Sequence, residues 1–143
     1  MNVREILASK GTSVITIEPT ATVDAAIKSM TMHRIGSLIV TGAEQRVIGI
    51  VSERDVVHVL AVRGREALDL PLTEIMTRRV ATCGVADTIS SIMERMTEGK
   101  FRHVPVVEQG RLAGIVSIGD VVKYRLQEME FEQDALRDYI QTA

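Results

Sequence analysis

RVIGIVSERDVV at residues 46–57 and RLAGIVSIGDVV at residues 111–122 are two copies of one segment, identical at eight of twelve positions. Self-similarity of this length at a fixed offset marks a duplicated supersecondary unit. The copy extends outward from both. VDAAIKSMT from Val23 faces ISSIMERMT from Ile89, SLIVT from Ser37 faces HVPVV from His103, and VREIL from Val3 faces LTEIM from Leu72. The offset is 66 from Val23 to Thr41 and 65 from Arg46 on, so the turn between them is one residue longer in the first copy.

Each copy carries the same order of patterns. A short β-branched run (Val14 to Ile17; Val80 to Thr82) precedes a segment with apolar residues three and four apart: Val23, Ala26, Ile27 and Met30, or Ile89, Ile92, Met93 and Met96. That spacing predicts an amphipathic helix. Two apolar runs follow, separated by a polar turn, which reads as a hairpin. A second helix starts at Ser52, or at Ser117. The unit is therefore β-α-β-β-α, and a three-stranded sheet with one bare apolar face calls for a second copy to cover it. The fold expected is α/β (α+β): two pseudosymmetric units packed through their sheets, with a long C-terminal helix. The boundaries expected are 1–62 for the first unit with its lead-in, 63–71 for a polar linker, 72–124 for the second unit and 125–143 for the helical extension.

Gly-Ile-Val-Ser-x-x-Asp closes each repeat, from Gly49 to Asp55 and from Gly114 to Asp120. It places serine at a helix N-cap and aspartate at N3, the spacing of a capping box. Capping alone accounts for one such motif. Two, at matching points of a repeat, also fit a ligand site. A helix N-terminus offers amide donors and a positive dipole end to phosphate, a carboxylate accepts from ribose hydroxyls, and the glycine permits close backbone approach.

Composition narrows the function. The 17 basic and 19 acidic residues are interspersed, giving a net charge of -2, so the broad basic face of a nucleic-acid binder is missing. Aromatic residues are 3% of the chain, too few to stack single-stranded bases. Met1 to Lys10 has no apolar leader core, and no run is long and apolar enough to span a membrane. One cysteine, Cys83, forms no internal disulfide and reads as a buried small side chain. A cytoplasmic protein is expected. His33, His58 and His103 lack metal-ligand spacing, and no nucleophile, base and acid set suggests catalysis.

On these motifs the chain resembles a tandem pair of cystathionine-β-synthase (CBS) domains, a Bateman module, over roughly Val3 to Val122. The resemblance implies a non-catalytic regulatory module of the stand-alone bacterial signalling type. Its clefts, between the two units, would take adenosine ligands: AMP first, then NAD(H) and ATP. It also implies a homodimer. By position, Asp55 and Asp120 match the ribose-binding carboxylates and Ser52 and Ser117 the hydroxyls beside the phosphate, with Arg54 and Gly119 at a phosphate-facing position. The adenine slots implied are Ile15, Thr16, Ile35 and Ser37 for the Asp120 cleft, and Ala81, Thr82, Phe101 and His103 for the Asp55 cleft.

Lys100, Phe101, Arg102 and His103 form a basic run where the first copy has Arg34, Ile35, Gly36 and Ser37, so two unequal clefts are expected; strand alternation points Arg102 and His103 to opposite sides, and at least one of them is expected to serve phosphate. After the second motif, Val122, Leu126, Met129, Leu136 and Ile140 recur at four-three spacing, with Gln133 filling the remaining position. The expectation is a helix whose stripe packs on its own body or on a partner; about two and a half heptads are short for a free-standing coiled coil, which favours packing within a homodimer over a zipper, with Glu128, Glu130, Glu132, Asp134 and Arg137 on its solvated face. No catalytic, transporter or DNA-binding segment is read in the sequence, so a sensor is expected to signal to an effector protein in trans. The alternatives are an interaction module with vestigial clefts and, further off, a nucleotide-processing enzyme.

Overall fold

The computed structural model describes residues 1–142. In chain order it has α1 (Val3–Lys10), β1 (Thr16–Ile17), α2 (Val23–His33), β2 (Ser37–Thr41), β3 (Val47–Ser52), α3 (Glu53–Arg63), α4 (Ile89–Gly99), β4 (His103–Glu108), β5 (Arg111–Ser117) and α5 (Ile118–Thr142). Two compact units result. One holds the first repeat, Val14–Ala81, with Gln109–Leu112; the other holds Met1–Ser13, Thr82–Glu108 and the residues from 113 on.

In the first-repeat unit β1 runs parallel to β2 (Thr16 opposite Ile39, Ile17 opposite Val40), and β2 pairs antiparallel with β3 from Ser37 opposite Ser52. The register slips beyond Val40, next to the turn where the first copy is one residue longer. Helix α2 starts because Thr22 accepts a hydrogen bond from the Ala25 amide, and it ends at Arg34 in the left-handed region, φ 55°. Its predicted inward stripe is the one observed: Val23, Ala26 and Met30 are buried against Leu38, Val40 and Val51.

The second-repeat unit repeats these devices residue for residue. Thr88 caps α4 by accepting from the Ser91 amide, and Lys100 ends the helix at φ 57°. Its sheet differs: the strand expected over Val80 to Thr82 does not form, and the sheet has two strands, β4 and β5. A single parallel bridge, Cys83 with Val106, remains in its place, with Cys83 N–H donating to Pro105 O (3.0 Å) and Val107 N–H to Cys83 O (2.8 Å). The next rung would need an N–H from Pro105, which proline lacks. The first copy has Ile39 there and keeps its strand. Cys83 is buried as expected; burial, with Asp87 adding to it, pushes its thiol up to about 11, away from reactivity.

The lead-ins change places. Residues 3–10 read with the first repeat in sequence, but α1 packs in the second-repeat unit, where Val3 and Arg4 donate to Asp87 O and Val85 O at 3.0 and 2.9 Å. Reciprocally, Leu72 and Met76 are buried in the first-repeat core, and Thr77 exchanges both backbone hydrogen bonds with Ile50, at 3.0 and 2.9 Å. The linker is likewise more than a polar tether. Its 3-10 turn, Gly64–Asp69, buries Ala67, and Leu70 O accepts from Val23 N–H at 2.9 Å.

Helix α5 runs unbroken through the boundary expected at 124/125. It buries Val121 and Tyr124, and beyond Met129 every described residue is exposed, so the stripe does not pack on its own unit. Glu128 is not on a solvated face. Burial pushes its carboxyl up, but hydrogen bonds from the Met1 ammonium (2.9 Å) and Arg125 (2.8 Å) outweigh that and hold it below the usual range. Ala143, the end of the expected extension, lies outside the described residues.

Candidate functional site

Each Gly-Ile-Val-Ser-x-x-Asp segment forms a strand end, a corner and a helix start, and the two corners are equal to a tenth of an ångström. The Ser52 amide and hydroxyl donate to Asp55 Oδ2 at 2.9 and 3.0 Å, and the Asp55 amide donates to Ser52 Oγ at 3.2 Å. Ser117 and Asp120 repeat all three distances. The capping box predicted from the sequence is thus complete in both, and it consumes one oxygen of each carboxylate. Oδ1 of Asp55 and Oδ1 of Asp120 have no hydrogen-bond partner among the described residues and remain free to accept.

The helix amides are less available than a bare N-terminus suggests. Glu53 N–H donates to Gly36 O (2.9 Å) and Ile118 N–H to Arg102 O (2.8 Å), which ties each helix start to the residue that leads into the hairpin. The N3 amide is held by the serine. That leaves the N2 amides, of Arg54 and Gly119, without a partner among the described residues. These are the phosphate-facing positions expected from the sequence.

The glycines of the motif have another function. A Cβ built on Gly49 would stand 2.6 Å from Met76 Sδ, and one on Gly114 2.8 Å from Leu7 Cδ2. The close approach is made by the apolar side chain of a lead-in in each unit, not by ligand. Gly119 is different: a Cβ there meets only Ser117 Oγ, at 3.6 Å.

The corners diverge in charge. Lys10, from α1, places Nζ 2.6 Å from Asp120 Oδ2 and 3.0 Å from Ile115 O. Partial burial alone raises the Asp120 carboxyl, but Lys10 together with the Ser117 amide and hydroxyl takes it below its ordinary value. His103, at the start of β4, is half-buried beside this group. Burial lowers its pKa first, and the positive charges of Lys10 and Arg102 lower it further, against the opposing pull of Asp120. Its pKa is thus held below the ordinary histidine value, which makes it a weaker cation than Lys10 beside it. At the matching places the first repeat has Ser37, opposite Ser52 in the sheet, and Gly36, where an added Cβ would lie 3.4 Å from the Glu53 side chain. One corner holds Asp120 with Lys10 bonded to it and His103 beside them; the other holds Asp55, with Glu53 and the exposed Arg54 on the first turn of its helix.

Lys10 was not among the residues the sequence singled out. Aligning VREILASK (3–10) with LTEIMTRR (72–79) sets Lys10 against Arg79, and this shared basic position was the available signal. Lys100 is exposed at the left-handed cap of α4, as Arg34 is in α2, so it does not distinguish the copies. Ile35 and Phe101 are half-buried against their own cores. Ile15, Thr16, Ala81 and Thr82 are exposed, and Thr82 O accepts from Arg95 at 3.1 Å. The first-repeat unit thus brings Ile15, Thr16, Ile35, Ser37 and Ala81 together with Ser52, Arg54 and Asp55. The other unit brings Thr82, Lys100, Phe101, Arg102 and His103 together with Ser117, Gly119 and Asp120. The adenine slots inferred from the sequence draw residues from both units and stay proposals.

A duplicated unit of helix, hairpin and second helix, each second helix opened by a serine–aspartate corner, defines a class of tandem-repeat α+β modules. The chain belongs to the CBS-domain family, which matches residues 3–62 and 72–127. Among solved structures, a CBS-domain containing protein from Agrobacterium tumefaciens is 44% identical, with a TM-score of 0.81 over 87% of this chain and 99% of that one. A CBS domain protein from Pyrobaculum aerophilum, solved complexed with AMP, is 28% identical, with a TM-score of 0.74 over 84% and 89% of the chains. The CBS domain pair of protein MJ0100, solved in complex with 5'-methylthioadenosine and S-adenosyl-L-methionine, is 25% identical, with a TM-score of 0.76 over 90% and 98%.

Proposed function

We propose that this chain is a regulatory module that binds an adenosine nucleotide, AMP ahead of NAD(H) and ATP, and reports its occupancy to an effector protein in trans. The observation that carries this reading is the pair of equal Ser-x-x-Asp corners, each with one carboxylate oxygen and one N2 amide open. A carboxylate oxygen suits ribose hydroxyls, and an amide at a helix N-terminus suits phosphate. The similar proteins solved with AMP, or with methylthioadenosine and S-adenosylmethionine, share the adenosine group and differ in the substituent attached to it. Phosphate is favoured here by Lys10 on Asp120, by Arg102, whose carbonyl accepts from the first amide of that helix, and by Arg54 at the N2 position beside Asp55. Occupancy signals only if the ligand binds two arrangements of the protein with different affinity.

Thermal shift against AMP, ADP, ATP, NAD, NADH and S-adenosylmethionine tests the reading. A ligand at 100 times its dissociation constant adds about 2.7 kcal/mol. Asp55→Asn and Asp120→Asn, each read against its own unliganded melting point, assign the corner. The expected result is loss of the AMP shift with one or both variants. No shift from any of the six in the wild-type chain would leave the corners as helix caps only and favour an interaction module.

A further inference from the structure

The exposed stripe of α5 has the periodicity and flanking charge of a two-stranded seam. Val122, Leu126, Met129, Gln133, Leu136 and Ile140 alternate four and three residues apart, and the five apolar members are 45–64% exposed. A seam repeating every 3.5 residues, rather than the wider apolar face of a helix lying on a globular core, is what a coiled coil uses. In heptad positions, Leu126, Gln133 and Ile140 are a, and Val122, Met129 and Leu136 are d. From 130 on, every described residue of the helix is exposed. A free segment of that length is marginal as an isolated helix in water, so a partner accounts for its order as well as for its stripe.

Charge selects the partner and its direction. The charged residues flanking the seam are Arg125 and Glu132 at g, and Lys123, Glu130 and Arg137 at e, with Tyr139 at the third g position. In a parallel, in-register pair of identical helices each g residue meets the e residue five positions on in the other helix. Arg125 then faces Glu130 of the second copy, and Glu132 faces Arg137 of the second copy. Both pairs are opposite in sign, and each occurs twice by symmetry. An antiparallel pair with the same seam overlap sets Lys123 against Arg137, and sets Glu130 and Glu132 each against its own counterpart, so every charged pair is like-signed. Arg125 already bonds Glu128 at 2.8 Å and would be shared, whereas Glu132 and Arg137 make no ion pair among the described residues. Gln133, a polar residue at an a position, meets its counterpart only in register, the arrangement by which a buried polar side chain fixes alignment and strand number.

We infer that the C-terminal helix docks a second copy of this chain as a parallel, in-register two-stranded coiled coil, with Glu132–Arg137 pairs across its outer half. The inference does not depend on nucleotide binding. Sedimentation equilibrium of the full chain between about 1 and 100 μM should give a dimer. Arg137→Glu, which replaces two attractive pairs by two repulsive ones, should weaken it about tenfold. Glu132→Arg with Arg137→Glu together should restore it, since the pairs are then reversed rather than removed. Leu136→Cys should cross-link the dimer on mild oxidation, because d positions face each other only in the parallel register and a disulfide needs Cα atoms within about 7 Å. Buried Cys83 does not compete. These positions are exposed in the single chain, so the variants keep its fold, which circular dichroism checks. A monomer at 100 μM overturns the inference. So does a dimer that ignores Arg137→Glu, a double variant that fails to restore it, or a dimer whose position-136 thiols do not join.

Discussion

Gly114→Ala tests whether the motif glycine serves the lead-in or a ligand. The added Cβ would lie 2.8 Å from Leu7 Cδ2 and 3.1 Å from Cδ1. Leu7 is 7% exposed and belongs to the core built on Ile6, Ile89 and Val116, so it cannot swing aside without opening a void. Overpacking of this kind costs about 1–3 kcal/mol, which in a domain of this size lowers the melting point by about 3–10 °C. The attribution comes from a double-mutant cycle. Leu7→Ala alone should cost about 2–5 kcal/mol through the cavity it leaves. In that background the added methyl meets empty space, and Gly114→Ala should cost less than about 0.5 kcal/mol, a coupling of about 0.5–3 kcal/mol between contacting residues. Urea denaturation of the four proteins, followed by circular dichroism at one pH, measures each corner of the cycle. An equal cost in both backgrounds would refute the packing argument. An unchanged melting point with lost nucleotide binding would return the glycine to the ligand.

Two further outcomes concern the second corner. Lys10→Met removes the cation on Asp120, whose folded pKa is held below the unfolded value. A depressed carboxylate stabilises the fold above its unfolded pKa, about 3.9, and that contribution is lost as pH falls through the folded value. The variant should therefore be less stable at pH 7, by at most about 1 kcal/mol for a pair this exposed. The difference should vanish in acid below the folded pKa, as urea midpoints at pH 7 and near pH 2 would show; a difference independent of pH would assign the loss to packing of the lysine stem. Gly119→Ala should stabilise by about 0.5–1 kcal/mol, since its Cβ site is open and its φ lies outside the left-handed region. A lower melting point would mean that the space at this N2 position is not free.

What the sequence carried was local or periodic. The repeat, the apolar stripes of α2 and α4, the hairpins and both serine–aspartate corners depend on residues a few positions apart, and all are found where the pattern puts them. The missing strand at Val80 to Thr82 was legible too, in Pro105, once it is known which strand that proline's nitrogen faces. The seam of α5 is also a sequence property, although only its exposure shows that the unit itself leaves it uncovered.

Contacts far apart in the chain were decided by the tertiary structure. Lys10 and Asp120 stand 110 positions apart, and no pattern in either segment announces their 2.6 Å pairing. The same packing sends each lead-in to the other repeat, puts Leu7 and Met76 over the motif glycines, and lowers the pKa of half-buried His103. The sequence by itself determined two equal corners, because a capping box is closed by residues three apart. Their basic flanks already differed in the sequence, Lys100 to His103 against Arg34 to Ser37, but only the fold put Lys10 on Asp120, because a side chain 110 positions away reaches a corner through packing alone.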